Sequence, residues 1–410
     1  MRPTISSSTR ILLRTGSLAA LLAFWAGPAQ ADDGTWTLNG NGVWSAIGNW
    51  NNGVGPIADG AGSTADFSTI DLTGNRQVTI DGAVASRTVR ILDIGLDTDT
   101  NGYQFLGSGG GTLTFDNGAS AAQLNNLNTS SAQNARPLIQ LPVLLNSDLE
   151  INNAGTNSTP ANPLNLGTNI IYFNGQGLEG AATTGNTVYL SNVSTGTALV
   201  YGNFGNGKLN DGVNGGRLGV IQDSGTSTMY LNSNPVGNYS GGTFIKNGDL
   251  VVSQNTPGTG AITLGDAAGG SASLLLKNNN KNVTVTSAAQ TLTLGTGAVG
   301  TLTLGGGFGY QATFAGLIDL NGETLTIAPD SATSTVALTA NIEIDPIGDP
   351  GVFGGFKGTG TLVNGGAGTT RITSNMLSGT VTAVTQNSAD SALVLSGTNT
   401  NTCTYTLDAG

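Results

Sequence analysis

Short alternations recur along this chain. Thr112-Leu113-Thr114-Phe115, Val283-Thr284-Val285, Thr291-Leu292-Thr293-Leu294, Thr301-Leu302-Thr303-Leu304, Thr324-Leu325-Thr326-Ile327 and Val336-Ala337-Leu338 repeat a bulky apolar side chain at every second position. A period of two puts Leu, Val, Ile and Phe on one face of a strand and mostly Thr on the other, so each run predicts a strand with one buried side. Asn117-Gly118, Asn247-Gly248 and Asn321-Gly322 separate such runs, and these residue types tolerate the positive φ of tight turns. No apolar pattern with a helical period persists long enough to predict a helix, and glycine recurs too often to allow one.

Strands this short and this closely spaced fit either tandem antiparallel sandwiches or a solenoid whose coils each contribute two or three strands. Sandwiches carry longer strands and a domain break every hundred residues or so. This chain has neither, and its Gly, Asn and Thr content stays nearly uniform from Asn101 onward, as stacked equivalent coils require. Asn and Thr side chains can also ladder between coils where a sheet turns a corner. The pattern therefore predicts an all-β, right-handed parallel β-helix. At roughly 20–25 residues per coil, the residues after position 31 make about 15–19 coils. With strands about 4.8 Å apart, the stack is on the order of 70–90 Å high.

Composition narrows the chemistry. The 410 residues include 64 glycines, one cysteine and no histidine, and only 10% are charged. Without imidazole there is no Ser-His-Asp or Cys-His catalysis and no His-ligated zinc or haem. A lone Cys403 excludes intramolecular disulfides, thiolate zinc clusters and iron–sulfur centres. A hydrophobic content of 38%, regularly alternated, is enough to fill a core and argues against a disordered glycine-rich tract.

The first 31 residues predict a secretory leader. Arg2, Arg10 and Arg14 precede an apolar stretch from Ser17 to Ala26, and Pro28-Ala29-Gln30-Ala31 supplies a helix breaker and an Ala-x-Ala site before Asp32-Asp33. The apolar stretch falls short of the about 20 residues a bilayer span needs. Cleavage removes three basic residues and no acidic one, which takes the formal net charge from −11 to −14. That balance argues against nucleic acid or an anionic membrane as partner.

Residues 32–110 are expected to form an N-terminal cap and the first coils, and residues 111–410 the main β-helix. Trp36, Trp44 and Trp50 fall within fifteen residues, where the first coil of a solenoid exposes an apolar end that needs a cap. The rival reading is an aromatic platform on which sugar rings stack. Two carboxylate pairs, Asp148 with Glu150 and Asp319 with Glu323, are conceivable acid/base pairs, but pairs at this density arise by chance at solvated strand and turn positions. The arginines of the mature chain, Arg76, Arg87, Arg90, Arg136, Arg217 and Arg371, show no acidic pair beside them at coil spacing. Asp97-Thr98-Asp99-Thr100-Asn101-Gly102 matches the first half of a calcium loop, yet Ser108 stands where a bidentate glutamate belongs. A polar turn is the better reading. No residue is assigned as catalytic, cofactor-binding or metal-ligating.

Two segments carry a family resemblance. Asn238-Tyr239-Ser240-Gly241-Gly242-Thr243-Phe244-Ile245-Lys246-Asn247-Gly248-Asp249-Leu250, within about 229–252, resembles the autotransporter-associated β-strand repeat, with its Tyr, Gly, Thr, Gly and Leu at the typical offsets. Residues 393–410 resemble a degenerate copy, with Asn401 in the place of the tyrosine and Cys403 in that of a glycine. Ile318-Asp319-Leu320-Asn321-Gly322-Glu323-Thr324-Leu325-Thr326-Ile327 is similar to the strand–turn–strand that often precedes such repeats. Trp36, Trp44, Asn49-Trp50, Pro56 and Ala65-Asp66-Phe67 are similar to the opening of exported proteins of this type.

The resemblance implies an exported bacterial β-helix, at the cell surface, in the outer membrane or outside the cell. It would be a non-enzymatic passenger-like stalk or adhesin contacting extracellular glycans or other cell-surface proteins. The alternative class is a carbohydrate-active β-helix enzyme, a polysaccharide lyase or hydrolase. Because the second copy stops mid-coil at Gly410, the reading also expects a truncated C-terminus, a missing membrane barrel or anchor, and end-to-end association through the open coil. Export makes one direct prediction: protein recovered from outside the cytoplasm begins Asp32-Asp33-Gly34-Thr35 on N-terminal sequencing. An intact Met1 in that fraction contradicts the leader.

Overall fold

The computed structural model describes residues 31–81, 86–96, 100–129, 136–156, 171–174, 176–180, 185–205, 209–233, 238–253, 257–278, 282–285, 290–306, 309–331, 335–338, 355–372, 381–396 and 402–409. Ala31–Gly410 is one compact unit. Among the described residues the regular structure is strand, apart from two single 3₁₀ turns at Ile47–Asn49 and Asn51–Gly53. Every pairing between named strands is parallel and joins one coil to the next. The chain is a parallel β-helix with an aromatic cluster at its N-terminal end.

Each coil lays a strand on a first sheet and then on a second, and most add a third. The first sheet begins with Gly34–Thr35, Thr64–Phe67 and Ile91–Ile94 and ends with Leu317–Asp319 and Gly355–Lys357. The second begins with Gly42–Val43, Arg76–Asp81 and Tyr103–Ser108 and ends with Val381–Asn387 and Thr404–Ala409. The third side carries two separate five-stranded sheets, one from Ser86–Val89 to Leu209–Asn210 and one from Val283–Val285 to Ala392–Leu395. Between them the described residues add to this side only the isolated parallel bridge of Asn210 with Asn238.

Inward positions form continuous apolar files. On the first sheet Leu149, Leu190, Val220, Thr243, Ile262, Leu292, Ile318 and Phe356 are register partners in turn, and all are buried. Leu325 is fully buried while its neighbour Thr326 is half-exposed, so the alternation read from the sequence holds. The coil count does not. Tyr230 pairs with Val251, 21 positions on, but Leu325 pairs with Leu362, 37 positions on. Coils are longer than the compact repeat assumed because most carry a third strand and corner loops of uneven length. Among the described residues the second sheet accordingly has 14 strands rather than 15–19. At about 4.8 Å per step it spans on the order of 60 Å.

The repeat-like segment makes the tightest coil. Thr243–Val252 is a single ten-residue strand that serves both sheets, pairing through Thr243 and Ile245 with the first and through Leu250 and Val252 with the second. It turns the corner at Gly248, where φ is +77° and a Cβ would collide with the Ser224 carbonyl. Here the buried Tyr239 ring fills the interior, and its hydroxyl meets Thr243 Oγ1 at 2.9 Å. Thr243 Oγ1 in turn donates to the Pro257 carbonyl of the next coil at 3.2 Å.

Asn and Gln side chains do ladder between coils. Asn126 Nδ2 donates to Asn153 Oδ1 at 2.8 Å, Asn192 Nδ2 to Gln222 Oε1 at 2.8 Å, and Asn364 Nδ2 to Gln386 Oε1 at 2.6 Å, all at buried corner positions. A charge placed in this interior has no partner. Leu325→Asp is expected to destabilise by several kcal/mol, whereas Thr326→Asp costs within about 1 kcal/mol because its carboxylate stays in water. Denaturant titration of the two variants measures this, and equal losses would contradict the inward and outward assignment.

Candidate functional site

The three tryptophans of the N-terminal segment are fully buried. Trp36, Trp44 and Trp50 pack around Phe67 with ring centroids 5.2, 5.3 and 5.4 Å away, and Phe67 packs on Phe105 of the third coil. Each indole N–H is used internally: Trp36 donates to the Leu38 carbonyl at 2.9 Å, Trp44 to Ala58 at 2.9 Å and Trp50 to Trp44 at 2.7 Å. No face is open for a sugar ring to stack on, so these residues cap the solenoid. Nearby, Arg87 takes an inward position and is held by Asp59 at 2.6 Å, whose other oxygen accepts the Thr88 amide at 3.0 Å.

The carboxylate pairs read from the sequence are largely committed to the backbone. Asp148 accepts the Tyr189 amide at 2.9 Å, Asp319 accepts the Asn321 amide at 3.2 Å and Glu323 accepts the Gly297 amide at 2.7 Å. Asp148 and Glu323 thus tie one coil to another, and Asp319 holds the turn two residues on, so these carboxylates serve the scaffold. Glu150 lies outward on Leu149–Asn153, between the register partners Gln123 and Ser191. In the calcium-like stretch Asp97, Thr98 and Asp99 lie outside the described residues. Asn101 donates to the Leu72 carbonyl at 2.7 Å, and Gly102 packs where a Cβ would strike the backbone of Arg136. Both residues shape a corner.

One acidic pair at coil spacing was not read from the sequence. Asp66 and Asp93 are direct register partners on the first sheet, and Asn125 follows them. Arg90, three residues before Asp93, donates instead to Thr64 Oγ1 at 3.1 Å. Burial holds the Asp93 carboxyl above the usual carboxylate range; the Asn125 amide, donating at 2.8 Å, works against this, and the charge of Asp66 adds to it.

Two outward features emerge only from the coil geometry. Tyr189 and Phe244 stand on the first sheet with ring centroids 5.8 Å apart and planes at 73°. Gly219 lies beneath the tyrosine, since a Cβ there would be 2.6 Å from the ring. On the third side a cleft of about 270 Å³ opens among Leu144, Leu145, Asn146, Glu179, Gly180, Val213 and Asn214. It lies where the first five-stranded sheet ends, and Glu179 closes it by accepting the Val213 amide at 2.8 Å. Its lining holds one carboxylate, already engaged, whereas glycoside hydrolysis uses two.

Asp93 supplies a pH test. A carboxyl whose folded pKa is raised binds its proton more tightly in the folded state. Its contribution to stability is therefore full below the unfolded pKa and is lost as pH rises through the folded one. Asp93→Asn keeps the shape and removes the charge. It is expected to raise the melting temperature at neutral pH, with the difference from the unsubstituted protein shrinking as pH falls through the raised folded pKa and vanishing below about 3.9. A difference constant from pH 3 to 7 would show that charge burial is not the cause. No family model, curated protein or solved structure matches the chain.

Proposed function

We propose that the chain is a non-enzymatic, exported β-helix displayed at the bacterial cell surface, a passenger-like stalk or adhesin whose flank contacts extracellular glycans or surface proteins of other cells. The observation that carries this reading is the use made of the acidic side chains: Asp148, Asp319, Glu323 and Glu179 are tied to backbone amides of this fold, as an extended scaffold needs. The segment resembling the autotransporter-associated repeat supports it. Tyr239, Thr243 and Gly248 serve the geometry of one coil, so the same residues can be reused coil after coil while outward positions vary. The outward Tyr189–Phe244 pair, unlike the buried tryptophans, has aromatic surface within reach of a ligand.

A screen of plant, algal and animal polysaccharides tests the proposal. The expected result is retention of the protein on one or more of them without release of reducing ends or unsaturated products. Product release would overturn it in favour of a lyase or hydrolase. Neither retention nor release would remove the adhesive role and leave a stalk alone.

A further inference from the structure

The outward face of the second sheet changes character along the stack. In the early coils its outward positions hold Gln77, Gln104, Leu106 and Gln140, and Tyr172 follows. From the strand Leu302–Gly306 onward it becomes a threonine lattice. One file runs Thr303, Thr326, Val363, Thr385 and Thr406, each the register partner of the next. The parallel file, two residues earlier on each strand, runs Thr301, Thr324, Thr361, Ala383 and Thr404. Eight of these ten positions are threonine, none is charged, and the side chains are half-exposed or exposed.

Their hydroxyls are free of internal duty. The described structure gives no hydrogen bond to the side chains of Thr303, Thr324, Thr326, Thr361, Thr385, Thr404 or Thr406. Thr382, the extra residue at a bulge beside the files, does donate, to the Gly360 carbonyl at 2.9 Å. Beneath the lattice, Leu302, Leu304, Leu325, Ile327, Leu362 and Val384 are buried and fix the strands from below. Threonine is stiff at χ1, so each position presents a methyl and a hydroxyl in a held orientation. Along a strand the files are about 6.7 Å apart, and across strands successive threonines are about 4.8 Å apart.

We infer that this face binds ice. The two repeats come close to those of water oxygens on a prism face of hexagonal ice, and a neutral, rigid array of alternating methyl and hydroxyl groups can order water in that lattice before it docks. The absence of charge on the ten positions fits a neutral crystalline partner and disfavours a charged one. Val363 preserves the branched outline of threonine, and Ala383 is smaller, so neither blocks a flat approach. This inference is independent of the adhesive reading, because it uses the opposite end of the stack from the buried tryptophans and a different sheet from Tyr189 and Phe244.

The full chain is tested by ice-affinity partitioning and by thermal hysteresis. The expected results are enrichment in slowly grown ice and a gap between melting and freezing points. The double variant Thr303→Lys/Thr326→Lys is expected to lose both. Thr263→Lys/Thr293→Lys, which puts the same charges on the outward face of the first sheet, is expected to retain both. Superimposable circular dichroism and melting curves show that the variants fold. Independently of any variant, fluorescently labelled protein is expected to mark prism planes on a single ice crystal. Exclusion of the unsubstituted protein from ice, equal loss in both double variants, or retention on crystalline cellulose or chitin with exclusion from ice would each overturn the assignment.

Discussion

Everything in this molecule depends on the coil-to-coil register of parallel strands. A shift of one residue on any strand would turn its apolar side chains outward and expose the whole file beneath. The ladder is therefore held by more than backbone pairing. Inward files such as Leu149–Leu190–Val220 stack like on like, so that each side chain covers the one above it. At the corners, where the ladder is interrupted, Asn126–Asn153 and Asn192–Gln222 carry the register across with side-chain amides. A buried amide left unmatched costs about 1–3 kcal/mol, so a slipped coil is penalised at its corners as well as its faces.

The same constraint explains where glycine and aromatic residues fall. Gly248 stands where the chain bends so close to Ser224 that no Cβ fits, and Tyr239 fills the interior of the tightest coil. Among the described residues no coil precedes the first, and three tryptophans with internally satisfied indoles cover it. Asp211 is used similarly: one of its oxygens accepts the amides of both Leu218 and Ser240, tying two coils together just beyond the last strand of the first third-side sheet.

What the sequence displayed and what it hid follow from range. Alternation is a property of neighbours, so the buried side of Thr324-Leu325-Thr326-Ile327 and the absence of a helical period were legible. The tryptophan cap was legible because three large apolar residues lay close together at an end that needs sealing. The Asp66–Asp93 contact was not, since it joins residues 27 positions apart in a chain whose register partners one coil apart lie from 19 to 41 positions away. Tyr189 and Phe244 meet across two coils, 55 positions apart, for the same reason. Without a constant period no spacing in the sequence marks them as neighbours. The threonine files were visible as separate Thr-Leu-Thr runs, but their alignment into a lattice is a fact of register alone.

The interruption of the third side carries a consequence for cooperativity. Through most of the stack a coil is braced on three sides, but among the described residues between Asn210 and Val283 the third side carries only the single Asn210–Asn238 bridge. In a quasi-one-dimensional array stability is the sum of each unit and its interfaces, so the thinnest interface sets where the array parts. Opening at this waist would strip neither five-stranded sheet, because each lies wholly on its own side. The molecule is thus built as two separately braced blocks sharing a spine. Damage or strain in one block can be confined there while the other keeps its ladder closed.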